Sequence, residues 1–414
     1  MGRCLLSSTV IPPLRTLLPS DPPKLAFPKN FSTHSAIFHY GVCTTGAKTS
    51  GAFCTKATLS EVGNNKKVYS KIGADSTGSI PSNELLQVVE AAAKTGAQVV
   101  MDAVNKPRNV TYKGLTDLVT DTDKSSEVAI LEVVRKNFPD HLILGEEGGI
   151  IGDSSSDYLW CIDPLDGTTN FAHGYPSFAV SVGVLFRGKP AAATVVEFVG
   201  GPMCWNTRIF SAAAGKGAFA NGEKIHVSGT DKVEQSLLVT GFGYDHDDPW
   251  ATNMELFKDF TDVSRGVRRL GAAAVDMCHV ALGIAEAYWE YRLKPWDMAA
   301  GVLIVEEAGG TVSCMDGGKF SVFDRSVLVS NGLLHAKLLE KIGPATENLK
   351  GKGIDFSVWF KPENYHTENQ MLVKEVLAYG KLLLRNMASL KPDFISLLSK
   401  SHPYLIYSPL IFKN

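Results

Sequence analysis

The amino-acid sequence predicts a protein of the α/β or layered α+β class. Segments whose apolar residues recur at helical spacing alternate with short, continuously apolar segments of the kind found in buried strands. Of the 414 residues, 44% are hydrophobic and 20% are charged, so the chain can bury a large core. Such alternation indicates sheets covered by helices, and the length fits two domains or one large α/β unit.

The predicted elements begin with a helix from Ser82, which can act as its cap, to about Asn105. A second helix is predicted over Lys124–Asn137 and is stopped by Pro139. Strands are then expected at Leu142–Leu144, Leu159–Ile162, Phe178–Phe186, Ala191–Phe198, Ala287–Tyr291, Thr311–Cys314 and Val327–Val329, and helices at Ala272–Ala281 and Asp297–Ala308.

The first 60 residues differ in composition from the rest of the chain. They are rich in Ser, Thr and Pro, and a single acid, Asp21, stands against the basic residues Arg3, Arg15, Lys24, Lys29, Lys48 and Lys56. A basic, acid-poor beginning without a compact apolar region is typical of an organelle transit peptide rather than a secretory signal. An ordinary disordered tail is the alternative. We predict a transit peptide over residues 1–60.

Two further segments flank the region of alternating elements. Residues 61–81 are polar and are expected to be a linker, which leaves a main domain over residues 82–367. Residues 368–414 form an atypical C-terminal extension, in which Met371–Leu390 has amphipathic helical spacing. This extension could be solvated, could form a helix that binds a partner, or could be an artefact of the gene prediction.

Charge and cysteine content exclude several classes of protein. The formal net charge is −2, without the basic excess of proteins that bind nucleic acid or membrane surfaces. The seven cysteines are odd in number and include no C-x-x-C pair, which argues against a disulfide framework and a zinc site. The sequence contains no run of about 18 apolar residues, so no membrane span is predicted.

The segment with the most chemical content is 160–171, W-C-I-D-P-L-D-G-T-T-N-F. An apolar strand carries Asp163 to its carboxyl end, the usual place of active sites in α/β proteins. Pro164 restricts Asp163 to an extended conformation, and Gly167 permits a tight turn after Asp166. The N–H groups and hydroxyls that follow would form a phosphate cradle if a helix begins there.

Two further acidic sites accompany this segment. Glu146 and Glu147 follow another short strand, and Asp297 stands at the start of an apolar helix. Taken separately, an acidic pair is usually a solvated loop and a lone acid a helix cap. An EF-hand is excluded because the twelfth position counted from Asp163 is Gly174 rather than Glu. Several hard oxygen ligands at the ends of apolar elements favour Mg²⁺.

Motifs of other chemistries are missing from the sequence. It contains no Walker A loop, no G-x-S-x-G nucleophile elbow and no cysteine-phosphatase loop. Residues 215–220 formally fit the dinucleotide pattern G-x-G-x-x-A, but the turn at Asn221-Gly222 excludes the helix that this pattern requires. Hydrolysis by a metal-activated water is the chemistry that remains.

Four motifs together resemble those of the inositol monophosphatase family. Asp163–Phe171 matches its D-P-L-D-G-T-T-N-F motif, and Trp296–Gly301 resembles its W-D-x-A-A-G motif. Gly145–Glu147 is similar to its G-E-E loop, and Leu118–Asp123 to its L-V-T-x-x-D stretch. The motifs occur in the family's order, and the resemblance extends over about residues 82–366. With the N-terminal composition, the chain most resembles plastid-targeted plant members of the family.

This resemblance implies a layered αβαβα sandwich, usually a homodimer, with up to three Mg²⁺ ions. By position, the first ion would take Glu146, Asp163 and the Leu165 carbonyl as ligands, with Thr168 nearby. The second ion would take Asp163, Asp166 and Asp297. A third, more weakly bound ion would take Glu146 and Asp123. It also implies that Glu146 and Thr168 orient the attacking water at Asp163, and that Li⁺ inhibits the enzyme.

The resemblance implies substrate contacts as well: Asp166, Gly167, Thr168, Gly271, Ala272, Ala273, Glu290 and Asp297. The Gly167-Thr168 amides would hold the phosphate, and Ala273 and Glu290 fall where family members touch inositol hydroxyls. Lys113 lies near the family's flexible lysine after a one-residue gap. Lys294 departs from the pattern, because animal members tend to have His there.

The sequence therefore predicts a Mg²⁺-dependent phosphomonoesterase that hydrolyses myo-inositol monophosphate in the chloroplast stroma. Relatives that act on sugar phosphates, histidinol phosphate or 3′-phosphoadenosine 5′-phosphate are the enzymatic alternatives, and Glu290 favours a polyol over a nucleotide. A catalytically silent binding protein is disfavoured, because the acidic ligand set is intact. The expected partner is a small phosphorylated substrate.

Overall fold

The computed structural model describes residues 69–114 and 118–367. The predicted transit peptide over residues 1–60 lies outside the described residues. So does the C-terminal extension 368–414, with the helix predicted over Met371–Leu390.

The described residues form seven α-helices and fifteen strands. The helices are α1 Ser82–Ala103, α2 Asp121–Asn137, α3 Thr168–His173, α4 Asp248–Val263, α5 Ala273–Ala281, α6 Pro295–Glu307 and α7 His335–Gly351. The strands are β1 Val110–Tyr112, β2 Leu118–Thr120, β3 Leu142–Gly145, β4 Gly149–Ile151, β5 Tyr158–Asp166, β6 Phe178–Phe186, β7 Lys189–Val199, β8 Asn206–Ala213, β9 Gly217–Ala220, β10 Glu223–Lys224, β11 Leu237–Thr240, β12 Gly266–Arg268, β13 Ala287–Tyr291, β14 Thr311–Ser313 and β15 Ser326–Ser330.

Two sheets organise these strands. The larger sheet has eight strands in the order β10-β9-β8-β7-β6-β5-β3-β4, and the smaller has five in the order β12-β11-β13-β15-β14. β3 and β5 run parallel, as do β11 with β12 and β11 with β13, whereas the other pairs are antiparallel. β1 and β2 form a separate pair.

Helices lie on both faces of each sheet. α1 and α2 pack on the outer face of the larger sheet, and α5 and α6 fill the layer between the two sheets. α4 and α7 cover the remaining face of the smaller sheet. The order of layers is α, β, α, β, α, which confirms the predicted fold class. α6 is buried on nearly all sides, as expected for a helix without a polar face.

Four helix starts differ from the predictions, one of them by a single residue, since α5 begins at Ala273 rather than Ala272. Ser82 is the first helical residue, whereas Pro81, whose φ is fixed near the helical value, takes the cap position. α2 begins at Asp121, before the predicted Lys124, because Thr120 caps it. α6 begins at Pro295, so the acid predicted as its first residue is instead its third. The sequence analysis missed α4 and α7 and the strands β1, β2, β4, β8, β9, β10, β11 and β12.

The predicted linker, residues 61–81, is described from Tyr69 onward and packs against the domain. Ile72 and Ala74 are buried in the core. The Ile72 and Gly73 N–H groups donate to the Glu306 carboxylate on α6 at 2.7 and 2.8 Å. This part of the chain is therefore attached to the folded domain.

After α7, residues 352–367 form a segment that we call the C-terminal strap. Trp359 N–H donates to the Phe323 carbonyl at 3.0 Å, and further along Tyr365 is fully buried. Within the residues that the structure describes, no helix is both long and apolar enough to cross a membrane.

Candidate active site

A bulge in β5 brings two of the predicted carboxylates to one face of the larger sheet. Asp163 pairs with Ser181 of β6, and the next aligned pair joins Asp166 to Ala179. Three residues of β5 thus span two residues of β6. In a regular strand, residues three apart point to opposite faces, but the extra residue restores both carboxylates to the same face. Ala179 belongs to the core of the middle helical layer, so this face is the inner one.

Both carboxylates are buried and held by backbone N–H groups. Asp163 accepts a hydrogen bond from Leu165 N–H at 3.0 Å. Asp166 accepts from Ala273 N–H at 3.1 Å and Ala274 N–H at 2.8 Å. These N–H groups begin α5, whose own cap residue offers no side-chain hydrogen bond. Asp166 therefore caps α5 from a different element, and the helix start favours its charge.

Gly167 and Thr168 form the turn that leaves β5. Gly167 has a φ of 87°, and a Cβ there would lie 2.9 Å from the Ser177 carbonyl oxygen. Glycine is the residue that fits this turn. The Thr168 hydroxyl, at the start of α3, lies 3.0 Å from Asp123 Oδ1 and 3.1 Å from the Leu165 carbonyl oxygen. Thr168 thus links buried Asp123 on α2 to the end of β5.

The loop of Glu146 and Glu147 is held by a buried acid on α2. Glu127 accepts hydrogen bonds from Glu147 N–H at 2.9 Å and from Gly148 N–H at 2.6 Å. A Cβ at Gly145 or Gly148 would lie 2.5 or 2.6 Å from a Glu127 carboxylate oxygen. The glycines on either side of the acidic pair therefore let the Glu127 carboxylate approach the loop backbone.

Lys113 places a positive charge beside the acidic loop, and the backbone of Lys294 holds a third acid. Lys113 Nζ lies 3.0 Å from Glu146 Oε1 and also hydrogen-bonds to Glu147. Burial lowers the pKa of Lys113, but the charges of both glutamates outweigh it and raise that pKa above its ordinary value. Asp297 accepts a hydrogen bond from Lys294 N–H at 2.8 Å, which fixes the acid in the first turn of α6.

One cavity of about 400 Å³ collects nearly all the predicted site residues. Its lining includes Glu146, Asp163, Leu165, Asp166, Gly167, Thr168, Gly271, Ala272, Ala273, Glu290 and Asp297. Asp123 is absent from the lining, and it reaches the cavity only through its hydrogen bond to Thr168. Residues as far apart in sequence as Glu146 and Asp297 thus meet at one site.

The carboxylates in this cavity destabilise one another's charges. Burial raises the pKa of Asp163 well above its usual range, and the charges of Glu146, Asp166 and Asp297 raise it further. Burial, followed by the charge of Asp297, raises the pKa of Asp166 to about 8, despite the two N–H groups of α5. A site with several buried like charges is stabilised by a bound cation.

The oxygen donors in the cavity have the chemistry that a hard divalent cation prefers. All are carboxylate or carbonyl oxygens, the ligands that Mg²⁺ prefers. Within residues 69–114 and 118–367, however, no three His, Cys, Asp or Glu side chains are gathered tightly enough to hold an ion. Glu146 is paired with Lys113 instead. An ion that takes Glu146 Oε1 as a ligand would have to displace Lys113.

Glu290 supplies a further acid to the cavity. It lies on β13, is buried, and accepts a hydrogen bond from the Tyr288 hydroxyl. Burial raises the pKa of Glu290 to about 7, although the Tyr288 hydrogen bond opposes the shift. Arg269 and Lys294 line the cavity nearby and bring positive charge. This side of the cavity can therefore bind hydroxyl groups and anions.

The sequence analysis missed three residues that build the site. Glu127 continues the buried face of α2 that contains Asp123, Ser126 and Ile130, so its helical spacing could have revealed it. Trp359 and Phe360 of the strap also line the cavity. No local motif predicts the positions of Trp359 and Phe360, because these positions depend on contacts with residues distant in sequence.

Comparisons with known proteins agree on one family. Residues 82–348 match the model of the inositol monophosphatase family. The chain is 73% identical over 371 residues to the Arabidopsis thaliana protein named "Phosphatase IMPL1, chloroplastic", an alignment that covers 89% of this chain and 100% of the relative. It is 41% identical over 254 residues to an inositol-1-monophosphatase of Synechocystis sp., with 61% of this chain and 86% of the relative covered.

The solved structure of an inositol monophosphatase from Anabaena (Nostoc) sp. also resembles this protein. The TM-score is 0.56 at 38% sequence identity, and the match covers 64% of this chain and 96% of that one. The layered architecture described above is thus shared with an experimentally determined structure.

Proposed function

The chain belongs to the inositol monophosphatase family, and we propose that it is a Mg²⁺-dependent phosphatase that hydrolyses myo-inositol monophosphate to inositol and phosphate. The Arabidopsis and Synechocystis relatives are named a phosphatase and an inositol-1-monophosphatase, so the protein is a phosphoric monoester hydrolase. The observation that carries the proposal is the meeting of Glu146, Asp163, Asp166 and Asp297 at one cavity.

The family is metal-dependent, and the donors present here support Mg²⁺ as the metal. By family resemblance, the ions would be held by Glu146, Asp163, the Leu165 carbonyl, Asp166, Asp297 and, more weakly, Asp123. When bound, such ions stabilise the charge on a transferring phosphoryl group and lower the pKa of a coordinated water.

The chain's own residues would position the reactants. Because the Thr168 hydroxyl donates toward Asp123 or the Leu165 carbonyl, its oxygen can act as an acceptor that orients a water in the cavity. Glu146 is the acid best placed to take a proton from that water, since it is only half-buried and lines the same cavity. The backbone N–H groups of Gly167 and Thr168 would bind the phosphate oxygens.

Contacts with the leaving alcohol support a polyol as substrate. Glu290 can accept hydrogen bonds from hydroxyl groups, and Gly271, Ala272 and Ala273 border the same space without filling it. Sugar phosphates, histidinol phosphate and 3′-phosphoadenosine 5′-phosphate are the alternatives to exclude. The Aquifex aeolicus relative, 38% identical over 257 residues, is named as both a fructose-1,6-bisphosphatase and an inositol-1-monophosphatase, so sugar phosphates come first among them.

We further propose that the enzyme works as a homodimer in the chloroplast stroma. The acid-poor residues 1–60 and the chloroplastic Arabidopsis relative support a chloroplast location. A fusion of residues 1–70 to a fluorescent reporter should enter plastids, and cytosolic fluorescence would contradict this location.

A phosphate-release assay over a panel of esters tests the function. The panel contains myo-inositol 1-phosphate and the three alternative classes, each measured with Mg²⁺, with EDTA and with Mg²⁺ plus Li⁺. We expect the highest kcat/KM for the inositol ester, no release in EDTA, and inhibition by Li⁺. Release that continues in EDTA would refute metal dependence, and a higher kcat/KM for another ester would reassign the substrate.

A further inference from the structure

The C-terminal strap adds a wall to the active-site cavity beyond the part of the chain that the family model matches. That match ends at residue 348, whereas the strap covers residues 352–367. Trp359 and Phe360 of the strap line the same cavity as Asp163 and Asp297. The strap therefore places two aromatic rings beside the acids that define the site.

Trp359 is held in place by three contacts. Its Nε1–H donates to the Leu293 carbonyl at 2.9 Å, and its backbone N–H donates to the Phe323 carbonyl at 3.0 Å. The Arg325 guanidinium carbon lies 4.7 Å from the ring centre, a cation–π distance. A side chain with this many partners is an ordered part of the cavity wall.

Phe360 is held in a backbone conformation that its side chain disfavours. Its φ is 53°, in the left-handed region where glycine is normal and a bulky residue is uncommon. Its ring meets Trp296 edge-on at 5.1 Å and Trp359 at 5.1 Å, and 45% of the residue stays exposed. Trp296 directly precedes Asp297, so Phe360 packs beside an acid of the site.

Tyr365 anchors the far end of the strap. It is fully buried, its hydroxyl accepts a hydrogen bond from Gly188 N–H at 2.9 Å, and its ring lies 6.2 Å from that of Phe323. Gly188 belongs to the turn between β6 and β7 of the larger sheet. The two aromatic residues are thus fixed between α7 and this turn, and the cavity wall is preorganised.

The cavity combines this aromatic wall with polar groups that suit a hydroxylated ring. Aromatic faces pack against the C–H face of a carbon ring, while Glu290 accepts hydrogen bonds from hydroxyls at its edge. A nucleobase could stack on the same rings, but it offers a carboxylate fewer donors than a polyol does. The chemistry of the two walls together favours a phosphorylated ring polyol.

We propose that Trp359 and Phe360 are specificity-determining residues that contact the carbon ring of the leaving alcohol. This proposal rests on the proposed phosphatase function and extends it to residues outside the family match. The rings bind the ground state and the transition state alike, because they touch a part of the substrate that does not react. Their loss should therefore raise KM and leave kcat nearly unchanged.

The test compares Phe360→Ala with Phe360→Tyr, which keeps the ring, and with Val358→Ala, an exposed strap position that does not line the cavity. Phe360→Ala retains a Cβ, so it leaves the backbone preference at this position nearly unchanged. With myo-inositol 1-phosphate and Mg²⁺, we expect Phe360→Ala to raise KM about tenfold with kcat within about twofold. With glycerol 2-phosphate, which has no ring, KM should change less than about twofold. Val358→Ala should behave as the wild type, and Phe360→Tyr should keep KM for the inositol ester well below that of Phe360→Ala because it retains the ring.

Three kinetic results would overturn the proposal. An equal loss on both esters, or a fall in kcat alone, would mean that the strap only braces α6. An unchanged KM for the inositol ester in Phe360→Ala would mean that the ring does not touch the substrate. If the wild type releases phosphate from no ester, the proposed function fails. Calorimetric titration with myo-inositol 1-phosphate then tests the strap contact separately. Binding about tenfold weaker in Phe360→Ala would support the strap contact, whereas equal binding, or none by the wild type, would refute it.

Discussion

The two walls of the cavity are built in opposite ways. The acidic wall gathers Glu146, Asp163, Asp166 and Asp297 from three separate elements, and buries charges that repel one another. The aromatic wall consists of Trp359 and Phe360, which are adjacent residues of one strap, and it buries little charge. Charged groups inside a protein need partners to remain there, whereas aromatic rings need only a surface to pack on. We therefore expect the acidic wall to depend on supporting hydrogen bonds. The aromatic wall should depend on the contacts that anchor the strap.

The Lys113 side chain supports Glu146, whereas the other supports of the acidic wall are backbone N–H groups. They hold Asp166 at the start of α5, Asp297 at the start of α6 and Glu127 against the acidic loop. The anchors of the aromatic wall lie farther from the cavity, at Phe323 and Tyr365. Substitutions in the two walls should accordingly affect different measurements.

The largest expected effect is that of Asp163→Asn. The substitution keeps the shape of the side chain but removes a charge that the proposed ions need, so activity should fall by about 10³-fold or more. Because burial and neighbouring acids raise the pKa of Asp163, its charge destabilises the metal-free fold near neutral pH. The metal-free variant should therefore unfold at the same temperature as the wild type or a higher one.

Phosphate release and thermal unfolding in EDTA measure these two effects. Asp262→Asn, an exposed acid on α4, is the matched control and should change neither. If Asp163→Asn keeps more than about a tenth of wild-type activity in excess Mg²⁺, the assignment of Asp163 as a metal ligand is wrong.

Glu127→Gln should have the next largest effect. A glutamine oxygen can accept only one of the two N–H groups that Glu127 now binds, and its NH₂ group repels the other. Misplacing the loop of Glu146 should lower activity about 10–100-fold and raise the Mg²⁺ concentration needed for half-maximal rate. Mg²⁺ titrations of Glu127→Gln and of Glu132→Gln, an exposed position on the same helix, test this. Equal Mg²⁺ requirements in the two variants would contradict it.

Tyr365→Phe tests the anchor of the aromatic wall. The variant keeps the buried ring but leaves Gly188 N–H without its partner, which should lower the free energy of unfolding by about 1–2 kcal/mol. The strap then holds Phe360 less firmly, so KM for the inositol ester should rise up to about fivefold while kcat stays constant. Denaturant unfolding and steady-state kinetics measure the two changes. A loss of kcat without a change in KM would show that the anchor supports the acidic wall instead.

The sequence predicted the acidic wall better than the aromatic wall for a physical reason. Asp163, Glu146 and Asp297 each follow or begin an apolar element, and such local patterns are visible in the chain. The bulge in β5 was not predictable, because strict alternation places Asp163 and Asp166 on opposite faces. The strap has no periodic pattern, and Trp359 owes its position to partners far away in sequence. Local rules find the elements that carry a site, whereas bulges and distant hydrogen bonds decide where side chains point.

The smallest expected effect is that of removing residues 368–414. The matched motifs lie before Thr367, as do the cavity-lining residues of the described part of the chain, and Tyr365 anchors the strap just before that point. Truncation after Thr367 should keep kcat/KM within about threefold of the full chain, a change below about 0.7 kcal/mol. Phe360→Ala in the truncated chain should raise KM as it does in the full chain, because the aromatic wall is complete without the extension. If the truncated protein folds but loses more than about tenfold in kcat/KM, the extension reaches the cavity and the aromatic wall does not end at Thr367.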